Sequence, residues 1–210
     1  MTLLGEEDEV QGTGPQPVIA PSSAAWVAAA VADLPTLLVD HAHCERKAAQ
    51  TALRFMQQHT DWPRLVLAMS RLAREELVHF ERVLAELKAR DLVLRPLPSA
   101  GYARELFALA RPAQQHRTVD ELLLCALIEA RSHERFVRLA RALPDVRLRA
   151  FYEDLGVAEA RHGGLYVSLA EEAAAPSPRE EVQVRLAELS ALEAAIVHRP
   201  AQPLRMHAGG

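Results

Sequence analysis

Two short segments, Glu-Leu-Val-His at Glu76–His79 and Glu-Ala-Arg-His at Glu159–His162, constrain this chain more than any other feature. In a helix, residues three apart share a face, so each segment presents a carboxylate and an imidazole side by side. About one such spacing is expected by chance in a chain with this many glutamates and histidines. Here there are two, and each follows an isolated glutamate. Glu45 stands before Glu76 at almost the same separation as Glu129 before Glu159, so the two halves of the chain repeat.

All four glutamates lie in apolar stripes of helical period. The stripe through Glu45 reads Leu38, His41, Glu45, Ala48, Ala52, Phe55, and the stripe through Glu76 reads Met69, Leu72, Glu76, His79, Val83. Glu129 sits in Leu122, Ala126, Glu129, His133, Phe136, and Glu159 in Tyr152, Leu155, Glu159, His162, Tyr166. A buried carboxylate without a partner is costly, and four converging in one core require compensating positive charge. No Lys or Arg stands on these stripes near the acids, and two divalent cations would supply the balance. One Glu from each of two helices plus Glu-x-x-His from each of two others is the ligand set of ferritin-like dinuclear bundles.

The expected metal ligands, and through the metals the catalytic groups, are therefore Glu45, Glu76, His79, Glu129, Glu159 and His162. Mixed carboxylate and imidazole donors favour two iron ions, with manganese as the alternative metal, over zinc. His41, His43 and His133 read as hydrogen-bonded histidines beside the site, and Cys44 and Cys125 as small core fillers. Glu75, Glu134 and Glu153 fall off the stripes and read as solvated or salt-bridged.

Ala and Leu abound while aromatic residues make up only 5% of the chain, which favours helices over strands. The expected fold class is all-α: a four-helix bundle with a long middle crossover and extra short and C-terminal helices. Residues 1–20 read as a mobile tail, 21–199 as a single domain, and 200–210 as a C-terminal tail in loop conformation. A short helix is predicted over Ser22–Ala32. The first long helix runs from Asp33 or Leu34 to His59, and the second, capped by Asp61, to about Arg90. The prolines of the 92–101 segment end it, and a short helix follows over Tyr102–Ala110. Thr118-Val-Asp-Glu121 reads as a capping box opening a helix over Val119–Leu143. The fourth long helix spans Asp145–Ala174, and a last amphipathic helix follows the Pro-Ser-Pro break and ends near His198.

The net charge of −4 gives no general reason to bind nucleic acid or an acidic membrane. Two cysteines make no disulfide framework, the first residues lack the basic-then-apolar form of a signal peptide, and no apolar run reaches membrane length. The cytoplasm is the expected compartment.

The segments LLVDHAHCERKAA, REELVHFERVL, LIEARSHERF and EARHGGLY, in this order between Leu34 and Leu169, resemble those of the tRNA 2-methylthio-N6-isopentenyladenosine hydroxylase family. All six expected ligands match that family's metal-binding positions. The resemblance implies a non-haem di-iron monooxygenase. It would use dioxygen as co-substrate to hydroxylate the isopentenyl group of a modified adenosine beside the anticodon of tRNA. It also implies an external reductase or ferredoxin as electron donor. A tRNA partner requires a basic mouth over the site, for which Arg90, Arg95, Arg104, Arg111, Arg117, Arg199 and Arg205 are the candidates by position. Bundle and ligands by themselves leave other outcomes open: a ferroxidase, a manganese catalase, a peroxidase, or a non-catalytic helical module whose acids pair internally. The oligomeric state is open as well.

Overall fold

Proline, glycine and short polar side chains divide the chain into helices whose ends fall close to those expected. The computed structural model describes residues 17–177, 179–199 and 203–208, so most of the expected N-terminal tail lies outside it. Among the described residues there are seven helices: α1 Ala24–Ala32, α2 Leu34–Gln58, α3 Pro63–Lys88, α4 Tyr102–Phe107, α5 Gln114–Ala142, α6 Val146–Ala174 and α7 Arg179–Val197.

Three N-termini follow from side-chain caps, which satisfy backbone donors that no preceding turn can reach. Ser23 accepts from the Trp26 amide at 3.0 Å at the start of α1. Asp33 accepts from the Thr36 amide at 3.2 Å, with Pro35 in the first turn of α2. Asp145 accepts from the Arg147 and Leu148 amides at 2.9 and 3.2 Å. The two caps expected from the sequence are not formed. Trp62, not Asp61, occupies the cap position of α3, which starts directly on Pro63. Proline in the first turn has no N–H to satisfy.

The capping box at Thr118 is likewise absent, because α5 begins a turn earlier, at Gln114. Its acids are engaged by arginines instead. Asp120 accepts from Arg111 Nη2 at 2.6 Å and Arg185 Nη2 at 2.9 Å, and Glu121 from Arg54 at 3.0 Å and Arg117 at 2.9 Å. Entry into α4 needs a left-handed residue, and Gly101 supplies it at φ 84°.

Helix α2 packs along α3 and α5 along α6, and the connection from 89 to 113, carrying only α4, crosses between the two hairpins. That long crossover is the ferritin-like arrangement. The core has two apolar clusters. One gathers Phe55, Met69, Leu122, Leu169 and side chains of α4 and α7; the other gathers Trp26, Leu38, Leu87, Phe136 and Tyr152. The four stripe glutamates lie between them along each helix.

Helix α7 docks on the bundle through charge as well as packing. Glu193, fully buried, accepts from Arg131 Nε at 2.9 Å and Nη2 at 2.8 Å and from the Tyr102 hydroxyl at 3.0 Å. The final segment, expected as loop, is irregular but buried: Met206 and Ala208 are at most 1% exposed. Among the described residues no helix is long and apolar enough to cross a membrane.

Candidate metal centre

The bundle brings all six expected ligands together at mid-height, each no more than 4% exposed. Their donor atoms form two overlapping groups, Glu45, Glu76, His79 and Glu159, and Glu76, Glu129, Glu159 and His162, with atoms in each group within 4.8 Å of one another. Glu76 and Glu159 belong to both groups.

Oε2 of Glu76, Oε1 of Glu159 and Nδ1 of His79 are buried without a hydrogen-bond partner among the described residues. An unsatisfied buried polar atom costs about 1–3 kcal/mol, and native cores contain few. Several in one cluster, all oxygen or imidazole nitrogen, fit metal ions in hard-donor coordination. Non-hydrogen-bonding approaches crowd the same space: His79 Nδ1 lies 3.6 Å from both Glu45 Oε2 and Glu159 Oε1.

Burial and mutual charge set the electrostatics. Burial opposes the charged form of His79, but the carboxylates of Glu45 and Glu76 outweigh it and raise the imidazole to about 9. His162 is likewise disfavoured as a cation by burial, then raised to about 10 by Glu75 and Glu76. Burial drives Glu129 upward, and burial with the neighbouring Glu129 and Glu76 carboxylates drives Glu159 well upward. Without metal the cluster therefore retains protons, which ligation must displace. Glu45 is the exception: burial raises it, but the charge and hydrogen bond of His41 hold it low.

His41, expected beside the site, contacts Glu45 directly, with Nε2 2.5 Å from Oε1 and its ring stacked on Tyr152. It orients the carboxylate as an outer partner does in metal sites. His41→Ala is expected to weaken metal binding by about 10–100-fold, as loss of such partners generally does; a metal titration followed by calorimetry checks this. The other two histidines bond elsewhere, His133 to the Gly156 carbonyl at 2.7 Å and His43 to that of Arg95 at 2.8 Å. Glu134 is salt-bridged to Arg131 and Arg138. Glu75 pairs with Arg161 and also stands 3.1 Å from His162 Nε2. Its contact with the site was not legible from a position off the stripe.

A cavity of about 520 Å³ leads from Glu45, Glu129 and Glu159 past Cys125 and Tyr166 to the surface at Arg46, Lys47 and Arg95. The expected basic mouth is corrected here: of the seven arginines, only Arg95 and Arg205 line it. Arg90 is bound to Glu86 and Asp145, Arg111 to Asp120, Arg117 to Glu121, and Arg199 to Glu105. Arg46 and Lys47 were missed, although both follow Glu45 directly and so turn outward from the same stretch of α2.

A crossed-over four-helix bundle with a buried carboxylate from each long helix and buried imidazoles from α3 and α6 defines a ferritin-like protein with a candidate metal centre. Within that class, the chain belongs to the family described as tRNA-(MS[2]IO[6]A)-hydroxylase (MiaE), which it matches over residues 16–208. It is 42% identical over 211 residues to the tRNA 2-(methylsulfanyl)-N(6)-isopentenyladenosine(37) hydroxylase of Pseudomonas putida KT2440, covering 100% of this chain and 97% of that protein. The Salmonella typhimurium LT2 protein of the same name is 30% identical over 238 residues, with 90% and 86% covered. Among solved structures, "Protein 43 with aldehyde deformylating oxygenase activity from Synechococcus" is 46% identical, with a TM-score of 0.86 over 93% of this chain and 98% of that one.

Proposed function

We propose that this chain hydroxylates the isopentenyl group of 2-methylthio-N6-isopentenyladenosine next to the anticodon in tRNA. In this reading two iron ions are held by Glu45, Glu76, His79, Glu129, Glu159 and His162. Dioxygen is the co-substrate, and a reductase or ferredoxin supplies two electrons. One oxygen atom enters a C–H bond of the substrate, and the other leaves as water with two protons. Bound iron supplies the dioxygen chemistry that carboxylate and imidazole side chains lack.

One observation carries this reading: the cavity joins the buried carboxylates to an exposed cationic rim. An alkyl group on a base of a polyanion needs an apolar passage inward and positive charge at the entrance. Leu97, Phe107, Ile128 and Tyr166 line the passage, while Arg46, Lys47 and Arg95 stand at the rim. The names of the 42% and 30% identical relatives supply the particular nucleoside. Acting on tRNA, the protein would work in the cytoplasm, which suits two free cysteines.

The test is a reaction of iron-loaded protein, chemical reductant and dioxygen with tRNA carrying the unhydroxylated nucleoside. Digestion and mass spectrometry should then find one added oxygen on the isopentenyl group, and its absence would reject the reading. Two manganese ions in place of iron would point to peroxide chemistry instead. The rim gives a second prediction. Reversing charge in an Arg46→Glu/Lys47→Glu variant should weaken tRNA binding and make the salt slope shallower by about 1 for each phosphate that is no longer neutralised. Fluorescence anisotropy across a salt series reads this, with metal content unchanged. Equal binding by variant and wild type would remove these residues from the interface.

A second reading is favoured by the name of the Synechococcus protein: deformylation of an aldehyde on the same centre. An uncharged aldehyde has no use for the cationic rim. Release of formate from an aldehyde at a rate exceeding tRNA hydroxylation would reverse the preference.

A further inference from the structure

The C-terminal segment forms one wall of the cavity and is held there by buried charge. Arg135, fully buried on α5, donates through Nη1 to the carbonyls of Arg205 at 3.2 Å, Met206 at 2.6 Å and Ala208 at 3.3 Å. From the other side, Asp40 of α2 accepts from the Met206 amide at 2.7 Å, and Trp26 Nε1 donates to the Arg205 carbonyl at 3.1 Å. The Trp26 ring lies over the Arg135 guanidinium at 4.1 Å. Buried arginine and aspartate side chains are thus committed to the backbone of a segment that has no regular secondary structure.

What the clamp delivers is His207. Its ring stacks on Tyr102 at 5.2 Å and 13°, its Nε2 lies 3.0 Å from Ser132 Oγ, and its Nδ1 lies 3.6 Å from Cys44 Sγ. Ser132 stands one helical turn after Glu129, and Cys44 directly before Glu45, so His207 lies beside the stretches of α5 and α2 that carry two of the cavity's glutamates. It lines the same cavity and belongs to neither group of metal-binding donors. Burial, with Arg135 and Arg131 nearby, lowers its pKa to about 3 and keeps the imidazole neutral. A neutral imidazole offers one donor and one acceptor. Ser132 engages one nitrogen, while the other has only a weak thiol partner.

We propose that His207, carried on the C-terminal segment that Arg135 and Asp40 clamp, orients the substrate base in the cavity so that its alkyl substituent points toward the carboxylate cluster. This assignment rests on the hydroxylase reading. It gives the buried arginine a role in function: by fixing the segment's backbone, Arg135 positions His207.

The test compares full-length, iron-loaded wild type, His207→Ala and His207→Gln on an anticodon stem–loop carrying 2-methylthio-N6-isopentenyladenosine. Measured for each are iron content, stem–loop affinity, and product formed per dioxygen consumed at saturating substrate. In His207→Ala, iron content should be unchanged and affinity nearly so, because the rim cations hold the phosphates. Product per dioxygen should fall by up to roughly 100-fold, the scale on which misplacing a reacting group acts. His207→Gln, which keeps a donor and an acceptor, should recover part of that loss and serves if the alanine variant does not fold. Wild-type coupling in both variants, with an active wild type, would overturn the role of His207 and leave the hydroxylase reading standing. No product from the wild type would overturn the reading and this assignment together.

Discussion

Glu129→Leu is expected to reduce bound metal to one ion per chain or fewer, and to depress hydroxylation beyond the about 10–100-fold typical of losing an outer-shell partner. The same substitution should leave the metal-free protein as stable as wild type or more so, by up to about 4 kcal/mol. The opposite signs share one cause. Burial drives the Glu129 carboxyl up to about 7, so below the usual carboxylate range the neutral acid costs little, and the penalty grows as pH rises to about 7, where the unfolded chain ionises while the core holds the acid neutral. Leucine removes that penalty along with the ligand. Denaturant unfolding of metal-free protein at pH 5 and pH 8 checks the stability, and elemental analysis checks the metal. A variant that binds metal normally and unfolds more easily would mean that Glu129 is paired within the protein.

Arg131→Met should give the largest loss of stability, about 3–5 kcal/mol, the cost of leaving a buried partner uncompensated. Arg131 and Glu193 are both fully buried, joined by two hydrogen bonds at 2.9 and 2.8 Å. Removing the guanidinium leaves the carboxylate with only the Tyr102 hydroxyl. The Arg131→Met/Glu193→Leu double variant should recover most of the loss, since a buried pair replaced by apolar side chains is often neutral or stabilising. Urea unfolding of the two single variants and the double closes the cycle. Additive losses would show that the pair is not coupled.

Periodicity made the site legible because the bundle core demands it. A side chain in an apolar stripe must face inward, so Glu45, Glu76, His79, Glu129, Glu159 and His162 had to meet once four long helices packed. The starts of α2 and α6 beside Asp33 and Asp145 were legible too, because Pro35 and Pro144 punctuate the chain there.

What stayed hidden depends on contacts distant in sequence. Asp120 and Glu121 look like part of a cap at Thr118 until Arg111, Arg185 and Arg54 arrive from other elements. Arg131 and Arg135 fall off the apolar stripe of α5, and nothing local shows that α7 and the C-terminal segment cover them. His207, in a segment without period, has no pattern that could place it in the cavity. The cationic rim was misplaced because most arginines of the middle connection already serve acids nearby, whereas Arg46 and Lys47 are set by the outward face of α2.

Metal stoichiometry tests the dinuclear centre most directly. Protein purified without oxygen and reconstituted with ferrous iron should contain about two irons per chain by elemental analysis, the complement of a site built from four glutamates and two histidines. Protein that takes up no stoichiometric metal under those conditions would contradict the centre, and would leave the buried acids to be explained by protons alone.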